Sequence, residues 1–318
     1  MQLDTAVLML FFIRDDTFAK VFERVREMKP KRLYLFQDGP REGRGDEEKI
    51  ERCRKICENI DWDCEVFRNY QEKNLGCDPS EYASISWAVE RAEKLIILED
   101  DDVPSKSFFR YCDELLNKYR DDKRVFMICG RNQLGEVECD SSYFFTKSDS
   151  IWGWATWKDR WEKCDTKHEF LLDRRLVKKI IKNSPSRFDG KLFIKKCRLH
   201  REKTLATGKP ASYETPIRAA MYLNDTVSAE PRVNLINNIG ITGDSEHTMA
   251  GIENIPKEQR SIYLIDACEM EFPLKHPEEF EENKEFLKKR NYLLGRSSMF
   301  TYYYRKIRGR IRKALKRS

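Results

Sequence analysis

No apolar run in this 318-residue chain exceeds eight residues. That run, Ala6 to Ile13, follows Asp4, is too short to span a bilayer and has no basic segment before it, so neither a membrane helix nor an export signal is expected. Cysteine is also sparse: ten in 318 residues is far below the density of a disulfide scaffold, and the thiols are expected reduced and mostly in the core. Cys53 and Cys57 share a helix face, but no second close pair or Cys/His knuckle follows, so a structural zinc is not expected. There is no GxGxxG after the first strand, no GxxxxGK[ST] and no GxSxG, which removes dinucleotide-binding, P-loop and triad-hydrolase readings. Finally, acid is absent from one region: between Lys288 and Ser318 there are twelve Lys and Arg and no Asp or Glu. The whole chain carries +6, so residues 1–287 carry −6, and a globally basic nucleic-acid binder is excluded.

Eighteen Phe, thirteen Tyr and six Trp are far more large apolar groups than a disordered composition holds, and the length permits one large domain or two small ones. The first half alternates β-rich and helical segments. Ala6 to Ile13 reads as a buried strand, Asp15 and Asp16 as the N-cap of a helix presenting Phe18, Val21, Phe22 and Val25 on one face, and Pro30 as its end. Strands are expected at Arg32 to Phe36, Cys64 to Phe67, Leu95 to Leu98 and Val125 to Cys129, and helices at Asp46 to Ile60, Pro79 to Lys94 and Ser107 to Tyr119. This alternation predicts an α/β fold with a mainly parallel central sheet and helices on both faces. Beyond residue 140 lies an aromatic segment with Trp152, Trp154, Trp157 and Trp161, the last two spaced as on a helix. A very basic helical stretch follows from Leu171 to Gly208, and Asn234 to Thr248 has the composition of a loop. The expected organisation is a main domain over 1–250, an extension packed on it over 251–296 and a basic tail over 297–318.

The sharpest feature is Leu95-Ile96-Ile97-Leu98-Glu99-Asp100-Asp101-Asp102, a buried strand that delivers four acids at its carboxyl end, where ligand sites of parallel sheets lie. Such carboxylates repel one another unless a cation neutralises them, and Mg²⁺ or Mn²⁺ takes oxygen ligands and bridges to phosphate. The competing reading is a solvated acidic turn ahead of the helix that follows Pro104. In the loop Gly240 to Thr248, glycines can act as hinges, and Ser245, His247 and Thr248 offer phosphate or metal contacts. Trp152 and Trp154 are candidates for an acceptor platform, or for core.

The segment Phe11 to Arg14, then RLYLFQDGPR, NLGC, IILEDDDVPSKSFF, WGWATW, NLINNIGITGDSEHT and FPLKHP, in that order, resembles a bacterial branch of glycosyltransferases with the GT-A (Rossmann-like) fold. It is similar, more distantly, to the Golgi N-acetylglucosaminyltransferase that begins complex N-glycans. The resemblance covers residues 5 to 280 and implies a DxD-type motif holding Mn²⁺ or Mg²⁺ against a sugar nucleotide, with a UDP-sugar favoured. It further implies Asp101 as direct metal ligand with His247 beside it, and Arg14, Asp38, Gly76, Ser84, Asp100 and Ser245 as donor contacts. Ser84 stands where the distant relative has a His, and Asp102 where that relative has no acid. The family's base falls near Ser212-Tyr213-Glu214-Thr215, which makes Glu214 the candidate, with a neighbouring position or Asp225 as the alternative. In an inverting displacement such a carboxylate takes the proton of the attacking acceptor hydroxyl.

In the tail, Ile307, Ile311 and Leu315 recur at i, i+4 and i+8 among Arg308, Arg312 and Lys316, after Met299, Phe300 and Tyr302 to Tyr304. A basic amphipathic helix suited to an anionic membrane is expected, and with it a cytoplasmic enzyme peripheral on the inner face of the cell membrane. The reading is a metal-dependent inverting transfer of a sugar to a hydroxyl of a glycan or lipid-linked saccharide in surface polysaccharide synthesis, with no nucleic-acid partner. The alternatives are a sugar-phosphate nucleotidyltransferase, which would normally show a Gly-rich basic first loop, and a catalytically inactive membrane-docked binding module.

Overall fold

The computed structural model describes residues 2–240, 260, 262–294, 299–300, 303–304 and 307. Ser245, His247 and Thr248, and the tail positions Arg308, Ile311, Arg312, Leu315 and Lys316, lie outside the described residues.

The first half has the expected rhythm: β1 (Ala6–Phe11), α1 (Asp15–Met28), β2 (Arg32–Gln37), α2 (Glu47–Ile56), β3 (Glu65–Tyr70), α3 (Cys77–Val89), β4 (Lys94–Glu99), β5 (Asp102–Pro104), α4 (Lys106–Lys118) and β6 (Val125–Cys129). There follow β7 (Tyr143–Thr146), β8 (Trp154–Trp157), α5 (Lys158–Trp161), α6 (Arg174–Asn183), α7 (Arg187–Thr207), α8 (Glu214–Asn224), β9 (Val227–Pro231), β10 (Ile236–Asn238) and α9 (Lys284–Leu293). Eight strands form one sheet in the order β3-β2-β1-β4-β8-β6-β9-β7. The β3-β2-β1-β4 block is parallel throughout, β8 runs antiparallel to both β4 and β6, and β7 antiparallel to β9. The fold is therefore α/β with a mainly parallel central sheet.

Both faces of that sheet are covered, which is why its inner strands read as unbroken apolar runs. Val7, Met9 and Phe11 of β1 point toward α1, α2 and α4, where Phe18, Val21, Cys53 and Phe108 meet them. Ala6, Leu8 and Leu10 point the other way, toward Ile85 and Ala88 of α3 and the layer of α6, α7 and α8 that holds Ile180, Phe193 and Ile217. The α1 pattern Phe18, Val21, Phe22, Val25 buries one helical stripe, with Phe18 stacked on Phe11 at 4.2 Å. Lys29 ends α1 in the left-handed region at φ 50°, just before Pro30.

Several expectations need correction. Arg14, not Asp15 or Asp16, occupies the N-cap of α1 and makes no side-chain cap bond; the two acids sit in the first turn, where they favour the helix dipole. Trp157 closes strand β8 and Trp161 ends α5, so they do not share a helix, although both are buried. The basic stretch from Leu171 is two helices broken at Ser184-Pro185-Ser186, and part of the segment read as loop, Ile236–Asn238, is strand β10 paired antiparallel with β5. All ten cysteines are free thiols. Residues beyond 262 return to the sheet: Met270 and Leu274 join the core on the α4 side, and Phe286 and Leu287 of α9 cover Phe144 of β7.

One buried acid sets a stability prediction. Glu230 of β9 is fully buried, and burial pushes its pKa up to about 7 although Arg290 and the Cys129 and Ser148 side chains pull the other way. The native state thus keeps a proton that the unfolded chain releases near pH 4.3, so stability falls as pH rises through that window and the penalty is complete above 7. Glu230→Gln removes the charge, and should raise unfolding stability at pH 8 by about 2–3 kcal/mol while changing little at pH 5. Denaturant melts at the two pH values check this; an equal effect at both would disprove it.

Candidate active site

Strand β4 lies at the centre of the sheet and ends in Glu99, after which Asp100, Asp101 and Asp102 turn into β5. The short β5–β10 ribbon fixes this turn, because its register sets Asn238 opposite Asp102. From there the Asn238 side-chain amide donates to both Asp101 (3.1 Å) and Asp102 (2.9 Å). A second tie comes from the Gly153 N–H, which donates to Asp102 at 2.8 Å. Gly153 has φ +60°, and a Cβ there would stand 2.3 Å from Ile236 Cδ1, so the glycine between Trp152 and Trp154 is required by both conformation and space.

Asp100, Asp101 and Asp102 are buried, and carboxyl oxygens of Glu99, Asp101 and Asp102 lie within 4.8 Å of one another. Arg14 reaches across from the end of β1: its Nη2 bonds Asp100 at very short range and its Nη1 donates to Asp101 at 2.7 Å. Burial works to lower the Arg14 pKa, but Asp100 and Asp101 outweigh it and hold it above its usual value. The acids are pushed the other way. Burial raises Asp100 to about 6 despite Arg14, raises Asp102 to about 8, and with the neighbouring Glu81 raises Glu99 well above the ordinary range. Glu81, on α3, has a buried Oε2 without a partner, and burial and Asp78 raise it too. Glu99 accepts a 2.7 Å bond from the Tyr213 hydroxyl, which ties the start of α8 to the cluster.

An all-oxygen donor set of converging carboxyls, with one further carboxylate oxygen left orphaned beside it, fits a hard divalent cation such as Mn²⁺ or Mg²⁺. A cation binds the ionised carboxyls and must therefore displace protons that burial retains. Mn²⁺ affinity is expected to be weaker at pH 6 than at pH 8, by roughly tenfold per pH unit for each proton displaced. Calorimetric titrations at the two pH values test this, and equal affinity would place the ion elsewhere.

The pocket at this end of the sheet is lined by Phe11 to Arg14, Asp38, Arg41, Asn74, Cys77, Ser80, Glu81, Glu99 to Asp101, Trp152 and Asn238. Asp38 lines it, but its carboxylate is engaged by the N–H groups of Gly39 (2.8 Å), Leu75 (2.8 Å) and Gly76 (3.1 Å) and by the Asn74 amide (3.0 Å). Its structural effect is to hold the NLGC loop, Gly76 included, against the pocket. Ser84 is fully buried in α3, donates to the Glu81 carbonyl at 2.8 Å and is not among the lining residues. Trp154 is buried between sheet and helices near Trp161. Trp152 does line the pocket, with its ring under Arg131 (4.4 Å) and beside Tyr263 (5.4 Å).

Glu214 is the first residue of α8, half exposed and paired with Lys196 at 3.4 Å. Asp225 caps the far end of the same helix and pairs with Lys147 at 2.8 Å. Reasoning from sequence missed Glu81, Asn238, Tyr213 and Asn74. Asn238 and Asn74 stood inside quoted motifs, but nothing in the chain marked Glu81, on a helix far from the acid run.

Gly240 crosses directly above the cluster: a Cβ there would lie 1.8 Å from Asp101 Oδ2. Gly240→Ala is therefore expected to displace Asp101 from Arg14 and Asn238 and to weaken Mn²⁺ binding at least tenfold with the melting temperature nearly unchanged, as titration and thermal melts would show. Unaltered metal affinity would mean that Asp101 is not held as described.

No protein-family model matches the chain. No curated protein matches it. Among solved structures it is similar to a UDP-glucose pyrophosphorylase complexed with UDP-glucose, with 8% identity and a TM-score of 0.35 over 73% of this chain and 91% of that one. It is similar also to a 4-diphosphocytidyl-2C-methyl-D-erythritol synthase from Anaerococcus prevotii, with 11% identity and a TM-score of 0.29 over 49% of this chain and 72% of that one.

Proposed function

We propose that the chain is a divalent-metal-dependent enzyme acting on a nucleoside diphosphate sugar, and within that class an inverting glycosyltransferase with a hydroxyl of a glycan or lipid-linked saccharide as acceptor. The observation that carries the reading is the convergence of Glu99, Asp101 and Asp102 at the end of the central strand, with Glu99 and Asp101 on the wall of a pocket that also holds Arg14. Motif order supplies the finer part, including the distant likeness to the Golgi enzyme. The two solved structures add no argument to it.

Asp101, with Glu99 and Asp102 beside it, would hold the ion, which when bound supplies positive charge against the departing diphosphate. Arg14 neutralises Asp100 and Asp101 before donor arrives and can turn one donor N–H toward a phosphate oxygen. Asp38 keeps the Gly76 loop in place for the nucleoside, Trp152 offers a ring face to the saccharide, and Glu214 takes the acceptor proton. Ser245 and His247 are proposed as donor and metal contacts on sequence grounds alone.

The second reading is a sugar-phosphate nucleotidyltransferase. It would use the same carboxyls but must also hold a triphosphate. Against that, the described lining carries two arginines and five carboxyls, and both arginines are in ion pairs, Arg14 with Asp100 and Asp101 and Arg41 with Asp46. Product analysis separates the two. Transfer releases nucleoside diphosphate from the sugar nucleotide, whereas the nucleotidyltransferase converts sugar nucleotide and pyrophosphate to nucleoside triphosphate and sugar phosphate. Triphosphate formation would overturn the glycosyltransferase reading.

No helix among the described residues is long and apolar enough to cross a membrane. The tail is proposed to lie on an anionic membrane surface, in support of which Met299, Phe300, Tyr303, Tyr304 and Ile307 are all exposed, Phe300 by 80%.

A further inference from the structure

The basic stretch at residues 171–209 has no part in the chemistry above. It contains thirteen Lys and Arg against three acids, and with the +12 of residues 288–318 removed as well, the rest of the chain carries −16. Twelve of the thirteen cations are exposed, so the charge lies on the surface and is not spent in the core. Among the described residues only Arg175 and Lys196 of the helical pair have acidic partners, Asp173 and Glu214.

Helices α6 and α7 pack on each other, with Ile180, Phe193, Ile194 and Cys197 turned inward against α8 and the sheet. Their outer faces therefore share one side of the molecule. Leucines stand out among the cations there: Leu176 of α6 is 37% exposed, and Leu199 and Leu205 of α7 are 56% and 58% exposed. A soluble polyanion gains nothing from protruding leucines, whereas a bilayer surface takes both cation and apolar side chain. Lys182 of α6 also shares one open groove with Lys284, Lys288 and Lys289 of α9, alongside Asp189, Glu282 and Glu285.

We propose that the outer face of α6 and α7 is a second membrane-docking surface, one that lays anionic lipid headgroups against its lysines and inserts Leu199 and Leu205 at the headgroup boundary. The inference is independent of the catalytic reading. It places Glu214, paired with Lys196 of this face, close to the plane of the lipid.

The test is co-sedimentation of full-length protein with vesicles of phosphatidylcholine alone or mixed with phosphatidylglycerol. The background is a tail variant, Met299→Ser/Phe300→Ser/Ile307→Ser. Residual binding to the anionic vesicles is expected, at least tenfold weaker after Lys179→Glu/Lys195→Glu/Arg198→Glu. It should also weaken after Leu199→Ser/Leu205→Ser, while dextran sulfate binding survives the leucine change. Three results would each overturn the proposal: no residual binding in the tail variant, no effect of charge reversal, or leucine substitutions that leave vesicle binding intact. Circular dichroism of every variant separates lost binding from lost fold.

Discussion

Asp101→Asn should reduce metal-dependent release of nucleoside diphosphate by at least about a hundredfold, the scale at which loss of one charge-stabilising group is felt in a transfer step. The substitution keeps the side chain's shape and its bond from Asn238, but it removes the charge that Arg14 meets at 2.7 Å and leaves Glu99 and Asp102 as the acids of the cluster. Because the folded state holds these carboxyls against strong desolvation, the variant should be no less stable than the parent, and relief of repulsion could raise its melting temperature. Loss of turnover with an intact melt is therefore the expected pair of results. Turnover that is unchanged would mean that Asp101 does not hold the ion.

The second large effect concerns the proton. Glu214→Gln is expected to lower kcat by 10²–10⁴-fold, roughly the range for loss of a positioned general base, with donor binding nearly unchanged. Its placement rests on Tyr213, whose hydroxyl bond to Glu99 fixes the start of α8 beside the carboxyl cluster. Asp225 sits at the other end of this 11-residue helix, about 15 Å away by helical rise, so Asp225→Asn should leave kcat within about twofold. Single-turnover kinetics with saturating donor distinguish the two. A normal rate in Glu214→Gln would remove it as the base and turn attention to Glu81, whose Oε2 has no partner.

How much of this could be read from the chain depends on what each element is made of. The strands β1, β2, β4 and β6 were legible because both faces are buried and the sequence between their ends is apolar without interruption. The antiparallel additions were not. Trp-Ala-Thr-Trp of β8 carries no alternation, and in the short Val-Ser-Ala-Glu-Pro of β9 Glu230 and Pro231 argue locally against a strand that pairing with β6 and β7 nonetheless forms. The three-residue ribbon β5–β10 exists only through tertiary contact, and that ribbon brings Asn238 onto the acids. The acid run itself was plain, because four consecutive carboxyls after an apolar strand demand an explanation. Glu81 and Tyr213 were not, since a glutamate on α3 and a tyrosine before α8 look like surface residues until the fold turns them inward. Ser84 and Trp154, which motif position suggested as ligand contacts, are both buried by packing.

The central claim is that the β4 carboxyls hold a divalent ion against the diphosphate of a sugar nucleotide. It is tested most directly by calorimetric titration of UDP and UDP-sugars into the protein with and without Mn²⁺, in the parent and in Asp101→Asn. The account predicts nucleotide binding at least tenfold tighter with Mn²⁺, and loss of that gain in the variant. Nucleotide binding that is indifferent to Mn²⁺, or a Mn²⁺ effect that survives the substitution, would contradict it.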